Sequence, residues 1–283
     1  MTDGRTDRSA PRDLGLFWKY LVLFTVTAII IGPLLATALG GFKSQGDLRA
    51  NPFGLPAVWH FDNYLDILFG IRYWRMMGNS LFISTFAVFV TLSCAATAAF
   101  VFAHLKFFGR EYLLNYMILG LLFPVATAIL PLFIKIRDLG LLNTYMGVIL
   151  PTAAFSLSMS ILLTRNMFRK LPVELLDAAL VDGCGYMRFF WHVILPLSRP
   201  ILTTVGIIAF VQSWNQYLLP LILLNTETKY PWPLGIMDFQ GEFVTEWQLI
   251  LAFVTLTIVP TVIIFIFAQR YIVAGLTAGA VKG

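Results

Sequence analysis

Charged side chains are scarce in this chain. Only 12% of its 283 residues are Asp, Glu, Lys or Arg, about half the share of an ordinary soluble domain. A water-soluble surface needs more than that, so the shortage excludes a soluble fold. The 58% of hydrophobic residues and a mean hydropathy of +0.79 place the chain in a bilayer. Charge is missing altogether from six long windows, 20–42, 76–105, 112–134, 139–164, 200–226 and 247–269. Each exceeds the roughly 20 apolar residues a helix needs to cross the hydrocarbon at about 1.5 Å per residue. Alternating polar and apolar runs are also lacking, which excludes a closed barrel, the other way to satisfy backbone groups in lipid. The expectation is an all-α, polytopic membrane protein with six transmembrane helices, spanning about 20–42, 79–103, 112–134, 145–166, 200–224 and 247–269.

Several chemistries are excluded by what is not there. Only two cysteines are present, Cys94 in the second span and Cys184 in the loop after the fourth, which argues against a disulfide framework. His60, His104 and His192 lie far apart in the chain with no companion ligand at metal spacing, so no metal site is expected. No Gly-rich loop ends in Lys-Ser or Lys-Thr, so the chain has no such cradle for ATP. No catalytic residues and no bound cofactor are expected. The six windows carry no Asp, Glu, Lys or Arg, whereas ion-coupled carriers place functional charges there. Energy for any transport must therefore arrive from outside the chain.

The basic residues give an orientation. With the N-terminus inside, 13 of the 20 Lys and Arg fall on the cytoplasmic side, favouring both termini inside. Arg72 and Arg75, just before the second span, run against that bias. The net charge of +5 thus follows membrane topology, and no soluble basic domain exists to bind nucleic acid. Residues 1–13 read as a polar, disordered cytoplasmic tail. Residues 14–283 read as one transmembrane domain with a cytoplasmic loop at 168–199 and a cytoplasmic tail at 270–283. Aromatic residues through 43–77 suit the headgroup level. Ser, Thr and Ala in the second span predict close packing inside a bundle, and the prolines of spans three and four permit bends.

The loop at 168–199 is the one polar segment with internal order. Pro172 suits the first turn of a helix and Glu174 its positive end. That helix is expected to run to Asp182, about 11 residues and 16 Å, and to stop at Gly183 in a left-handed conformation. A second element, Tyr186 to Ile194, carries Phe189, Phe190 and Trp191 and is expected to end at Pro196. Composition alone fits an amphipathic connector on the lipid surface. The spacing of Asp177-Ala178-Ala179, Gly183 and Ile194-Leu195-Pro196, with Glu174-Leu175 before and Asp182 beside the glycine, resembles the EAA loop of ABC importer permeases. Asp177 stands where that family most often has Glu, which shortens the side chain by one methylene.

The resemblance extends along the chain. Asn79-Ser80, the stretch 139–144 (LGLLNT), Trp214-Asn215, Trp232-Pro233-Leu234 and the C-terminal Gly279-Ala280-Val281-Lys282-Gly283 are similar to the maltose-transporter type of permease, the MalG-like subunit. The resemblance implies a type I ABC importer permease of MetI-like fold that carries a sugar, oligosaccharide or polyol derivative. It further implies a heterodimer with a second homologous permease, an ATPase dimer that binds the ATP and Mg, and an extracytoplasmic solute-binding protein. The helix bearing Glu174, Leu175, Asp177, Ala178, Ala179, Asp182 and Gly183, closed by Leu195 and Pro196, would seat in one ATPase. Residues Gly279 to Gly283 would reach between the two.

For the passage, Gln212, Trp214, Asn215 and Tyr217 form a polar and aromatic cluster in span five. Amides bind sugar hydroxyls and aromatic faces stack on sugar rings. The same groups also serve as hydrogen-bonding glue between helices, and both readings stand open at this stage. Two rivals to the permease remain, an ion-coupled secondary carrier and a non-transporting membrane scaffold.

Overall fold

The computed structural model describes residues 12–172, 174–241 and 244–277. Thirteen α-helices are found among them. The chain divides into two compact units, Met1–Ile67 with Gly241–Leu256, and Leu68–Gln240 with Thr257–Gly283.

In the first unit, helix α1 (Arg12–Gly41) runs unbroken through Pro33. Its last carbonyls, which a helix end leaves without internal partners, are met by side chains from the following segment. The Tyr64 hydroxyl donates to Ala38 O at 2.6 Å, and the Asn63 amide donates to Gly41 O and Lys43 O at 2.9 and 3.0 Å. Lys43 is fully buried, and its ammonium donates to the Asn51 carbonyl. Two short helices, α2 (Gln45–Ala50) and α3 (Asp62–Phe69), complete this segment.

The second unit is a bundle around α4 (Ile71–His104), 34 residues and about 51 Å long. The small residues of the second span have the effect expected of them. Ser84, Ala87, Thr91, Ala95 and Ala99 are all buried, which lets α7 (Tyr145–Phe168) and α11 (Arg199–Trp214) approach α4 closely. Helix α7 is capped by Thr144, whose hydroxyl accepts from Gly147 N at 3.1 Å. Packing at Gly147 is tight, since a Cβ there would sit 2.2 Å from the Leu141 carbonyl oxygen. Gly147→Ala is expected to cost about 1–3 kcal/mol through that clash, read as a lowered unfolding midpoint of the purified protein.

The third span departs from the continuous helix expected over 112–134. It is divided into α5 (Arg110–Leu119), a 3₁₀ turn over Gly120–Leu122 and α6 (Val125–Asp138), bent by 106°. The cause is local. Pro124 lacks an N–H and forces Phe123 into an extended conformation, φ −89°, ψ 109°. Ser158 of α7 donates to the Met117 carbonyl at 2.8 Å, satisfying one group near the break. The two halves pack at different levels of α7. Leu114 of α5 packs with Ile161 near one end of α7, while Ile136 of α6 packs with Val148 and Ile149 near the other.

Span five also differs from the expected 200–224. Helix α11 stops at Trp214, and after three residues a short helix α12 (Leu218–Leu223) follows. The last helix, α13 (Trp247–Thr277), extends eight residues past the expected 247–269, so the expected tail from 270 is helical as far as Thr277. Residues 278–283, including Gly279 to Gly283, and the polar residues 1–11 lie outside the described residues.

Candidate functional sites

Between α7 and α11 lies the loop that the sequence singles out. Its first helix, α8, runs from Glu174 to Val181, 8 residues, shorter than the 11 expected from Pro172 to Asp182. The turn does begin at Pro172, whose carbonyl accepts from Leu175 N at 3.3 Å. The helix ends as its glycine requires. Gly183 adopts φ +74°, Gly183 N donates to Leu180 O at 3.1 Å, and Cys184 N donates to Ala179 O at 2.8 Å. These two bonds make a Schellman cap.

One face of the loop is anchored. Leu176 and, on the next element, Phe189, Phe190 and Ile194 are buried together with Ala96, Ala99 and Phe100 of α4 and Phe168 of α7. Ala179, Cys184 and Leu195 flank that core. The opposite face is open. Glu174, Leu175, Asp177, Ala178, Asp182 and Gly183 are all exposed, and Val181 is 88% exposed. The result is a short rigid knob, held from behind by apolar packing, that presents acids and apolar side chains outward.

The second element differs from the expected Tyr186–Ile194 helix closed by Pro196. Helix α9 (Tyr186–Phe189) passes into a π turn over Phe190–Ile194, in which Leu195 N donates to Phe190 O, and then into α10 (Leu195–Leu197). Pro196 sits in the first turn of α10, where its missing N–H costs nothing. The chain instead turns at Ser198, and α11 departs at 77°.

The span-five cluster falls at the break after α11 rather than inside a continuous helix. Gln212 is exposed and its Oε1 accepts from Ser156 of α7 at 3.2 Å. Asn215 is exposed, with its amide turned to the Val211 carbonyl at 2.9 Å. Tyr217 is exposed as well. Trp214 is buried and stacks on Phe210 at 5.5 Å between ring centroids, so its faces are covered by protein. Among the described residues, no group of three His, Cys, Asp or Glu is placed to hold a metal ion.

At the other end of the second unit the structure joins residues that the sequence left without a role. Asn79 donates to the Thr228 and Tyr230 carbonyls and accepts from the Tyr145 hydroxyl at 2.8 Å. Ser80 Oγ accepts from Trp232 N at 2.8 Å. Asn143 donates to Thr226 Oγ1 at 2.7 Å and accepts from Asn225 N and Thr226 N, while its carbonyl accepts from Lys229 Nζ. Three stretches remote in sequence are thereby locked into one polar cap. Arg72, one of the two basic residues that run against the charge bias, belongs to it through ion pairs with Glu227 and Asp238.

Burial pushes the Asp238 carboxyl above its ordinary range, while the Arg72 charge and hydrogen bond pull it down. The net shift is upward, so the folded chain binds a proton at Asp238 more readily than the unfolded one. Its contribution to stability is fully present below the ordinary carboxylate pKa and is lost as pH rises through the raised value. Asp238→Asn is expected to remove that slope, measured as the difference between wild-type and variant unfolding across acidic pH.

The comparisons with known proteins decide what this architecture belongs to. Residues 90–277 match the family of binding-protein-dependent transport system inner membrane components. The chain belongs to that family. It is 33% identical over 267 residues to the probable ABC transporter permease YurM of Bacillus subtilis, covering 94% of this chain and 88% of that one. It is 34% identical over 264 residues to the diacetylchitobiose uptake permease NgcG of Streptomyces coelicolor, covering 93% and 87%. It is 35% identical over 273 residues to the arabinooligosaccharide transport permease AraQ of Halalkalibacterium halodurans, covering 95% and 97%. A chain of the crystal structure of a bacterial ABC transporter that imports the acidic polysaccharide alginate superimposes with a TM-score of 0.78 at 23% identity, covering 96% of this chain and 99% of that one. The fold is therefore the importer-permease fold expected from the EAA-like spacing. The chain is a transport subunit of the ABC permease class and not itself an enzyme.

Proposed function

We propose that this permease carries a carbohydrate, an oligosaccharide or a related polyol derivative, and supplies half of the path. A second homologous permease forms the other half, two ATPase subunits bind the ATP and Mg, and an extracytoplasmic solute-binding protein delivers the substrate. The observation that carries the reading is the knob at α8, exposed outward and packed behind against α4 and α7, in a chain whose six apolar windows hold no Asp, Glu, Lys or Arg. Such windows offer no carboxylate or cation of their own to couple to an ion gradient. The chain does have a rigid lever on which a partner can push.

In this reading both termini and α8 face the cytoplasm, and the polar cap around Asn79 and Asn143 faces outward, toward the solute-binding protein. The names of relatives such as NgcG and AraQ, which carry saccharides, support the substrate class. Gln212, Asn215 and Tyr217, exposed at the α11 break, offer amide and hydroxyl groups to substrate hydroxyls and an aromatic face to a sugar ring. Trp214 supports them from behind through its stack on Phe210. Closure of the ATPases would press α8 and tilt the bundle.

The test is uptake in proteoliposomes holding the assembled transporter. Labelled oligosaccharide is expected to enter only with ATP inside and loaded binding protein outside. Uptake driven by a proton or sodium gradient without ATP would make the chain a secondary carrier, and failure to recover an ATPase with the purified permease would leave a scaffold.

A further inference from the structure

A basic, aromatic hollow opens where α5 begins, at the same end of the second unit as α8. Its walls are Lys106, Phe107, Phe108, Arg110, Glu111 and Tyr112, and its volume is about 480 Å³. Lys106 is exposed, and Phe108 and Tyr112 are among the most exposed aromatic residues of the chain, at 104% and 84%. The single acid there is already shared, since Glu111 pairs with Arg110 at 3.0 Å and with the buried Arg165 of α7 at 3.2 Å. Arg169 follows one turn after Arg165. Lys106 and Arg110 line the hollow, Arg165 shares its one carboxylate and Arg169 lies near Arg165, so the local surplus is positive.

The shape of α5 says what would neutralise it. One side of the helix is anchored by Leu114, 2% exposed. The other side is open and apolar along its length, with Tyr112, Leu113, Tyr116 and Leu119 all exposed. A continuous apolar stripe therefore leads away from the cationic hollow. A soluble anion would use the hollow and leave the stripe bare, whereas a lipid would fill both.

We propose that this hollow binds the phosphate headgroup of an anionic phospholipid, with its acyl chains laid along the open face of α5. Basic pockets at the cytoplasmic ends of spans attract anionic headgroups, and aromatic rings prefer the same depth. Placement in the cytoplasmic leaflet rests on the orientation under Proposed function, but binding itself does not. The bound lipid would hold the start of α5 beside the Glu111–Arg165 pair, which ties α5 to α7 next to the knob.

The test uses the whole transporter carrying Phe108→p-benzoylphenylalanine, photolysed in micelles doped with labelled phosphatidylglycerol or phosphatidylcholine at equal mole fraction. Crosslinking to phosphatidylglycerol is expected to exceed that to phosphatidylcholine by about five-fold or more. It should fall to the phosphatidylcholine level in the Lys106→Gln/Arg110→Gln background and persist in Lys106→Arg. Equal crosslinking of the two lipids, or no change in the double variant, would overturn the proposal. So would loss of a partner subunit from the double variant with lipid crosslinking intact, since that would make the hollow a protein contact. Excess inorganic phosphate is expected to leave the crosslink in place, and its abolition by phosphate would reduce the site to an anion site. None of these readouts requires transport, so the carbohydrate reading can fail while this one stands.

Discussion

Val181→Asp is expected to lower binding-protein-stimulated ATP hydrolysis and uptake by about thirty-fold or more, the scale of a central contact residue at an interface, while the chain still inserts and folds. Val181 is 88% exposed in the last turn of α8 and shares its helix face with the exposed Asp177 and Ala178. Its loss removes little packing within the chain. An aspartate there replaces the exposed apolar side chain between Asp177 and Asp182 with a third like charge, and a docked ATPase would have to bury it. The control is Leu176→Asp, one position on the anchored face. Leu176 is 8% exposed among Phe168, Phe189 and Phe190, so that variant should fail to fold rather than fail to couple. Normal uptake in Val181→Asp would remove α8 from the coupling surface.

The second large effect concerns Asn143. It holds φ +56°, the only described residue other than glycine with positive φ, and its side chain makes three hydrogen bonds across to 225–226. Asn143→Leu removes all three, worth about 0.5–1.5 kcal/mol each, and adds about 1 kcal/mol because a branched apolar side chain has no local hydrogen bond to offset the left-handed conformation. A loss of about 3–5 kcal/mol is expected, measured as a lowered unfolding midpoint of the purified transporter. Asn143→Gly separates the two terms, since it keeps the backbone conformation and loses only the side-chain bonds. If Asn143→Leu unfolds like wild type, the cap does not hold α7 to the 225–239 loop.

How much of this was legible in the sequence depended on whether the signal was local. The crossings were visible because charge in hydrocarbon is costly over a whole window. The stop at Gly183 was visible because one residue type meets one backbone requirement. The α8 knob followed from a short run in which acids, alanines and glycine sit at fixed spacing. The break in span three was less legible, because Pro33, Pro131, Pro151 and Pro260 all lie inside continuous helices. Pro124 interrupts its helix in the company of Gly120 and the Ser158 contact from α7, and that contact is set by tertiary packing.

The polar cap was the least legible part. Asn79 lies in α4, Asn143 in the turn before α7, and Thr226 and Lys229 in the segment after α12, and only folding brings these ordinary polar residues within hydrogen-bond reach. The available hint was Asn143-Thr144, an asparagine suited to a left-handed turn directly before a helix-capping threonine. Trp214 shows the converse limit. Its position in the chain suggested a ring open to substrate, and its stack on Phe210 closes that ring to solvent.

The account rests on α8 facing the cytoplasm, and side-selective labelling tests this most directly. Met187, 71% exposed beside α8, replaced by cysteine in a chain with Cys94→Ser and Cys184→Ser, gives a single thiol for a membrane-impermeant maleimide. No label on intact cells and strong label on inverted vesicles stripped of peripheral proteins is the predicted result. Labelling from outside intact cells would contradict it.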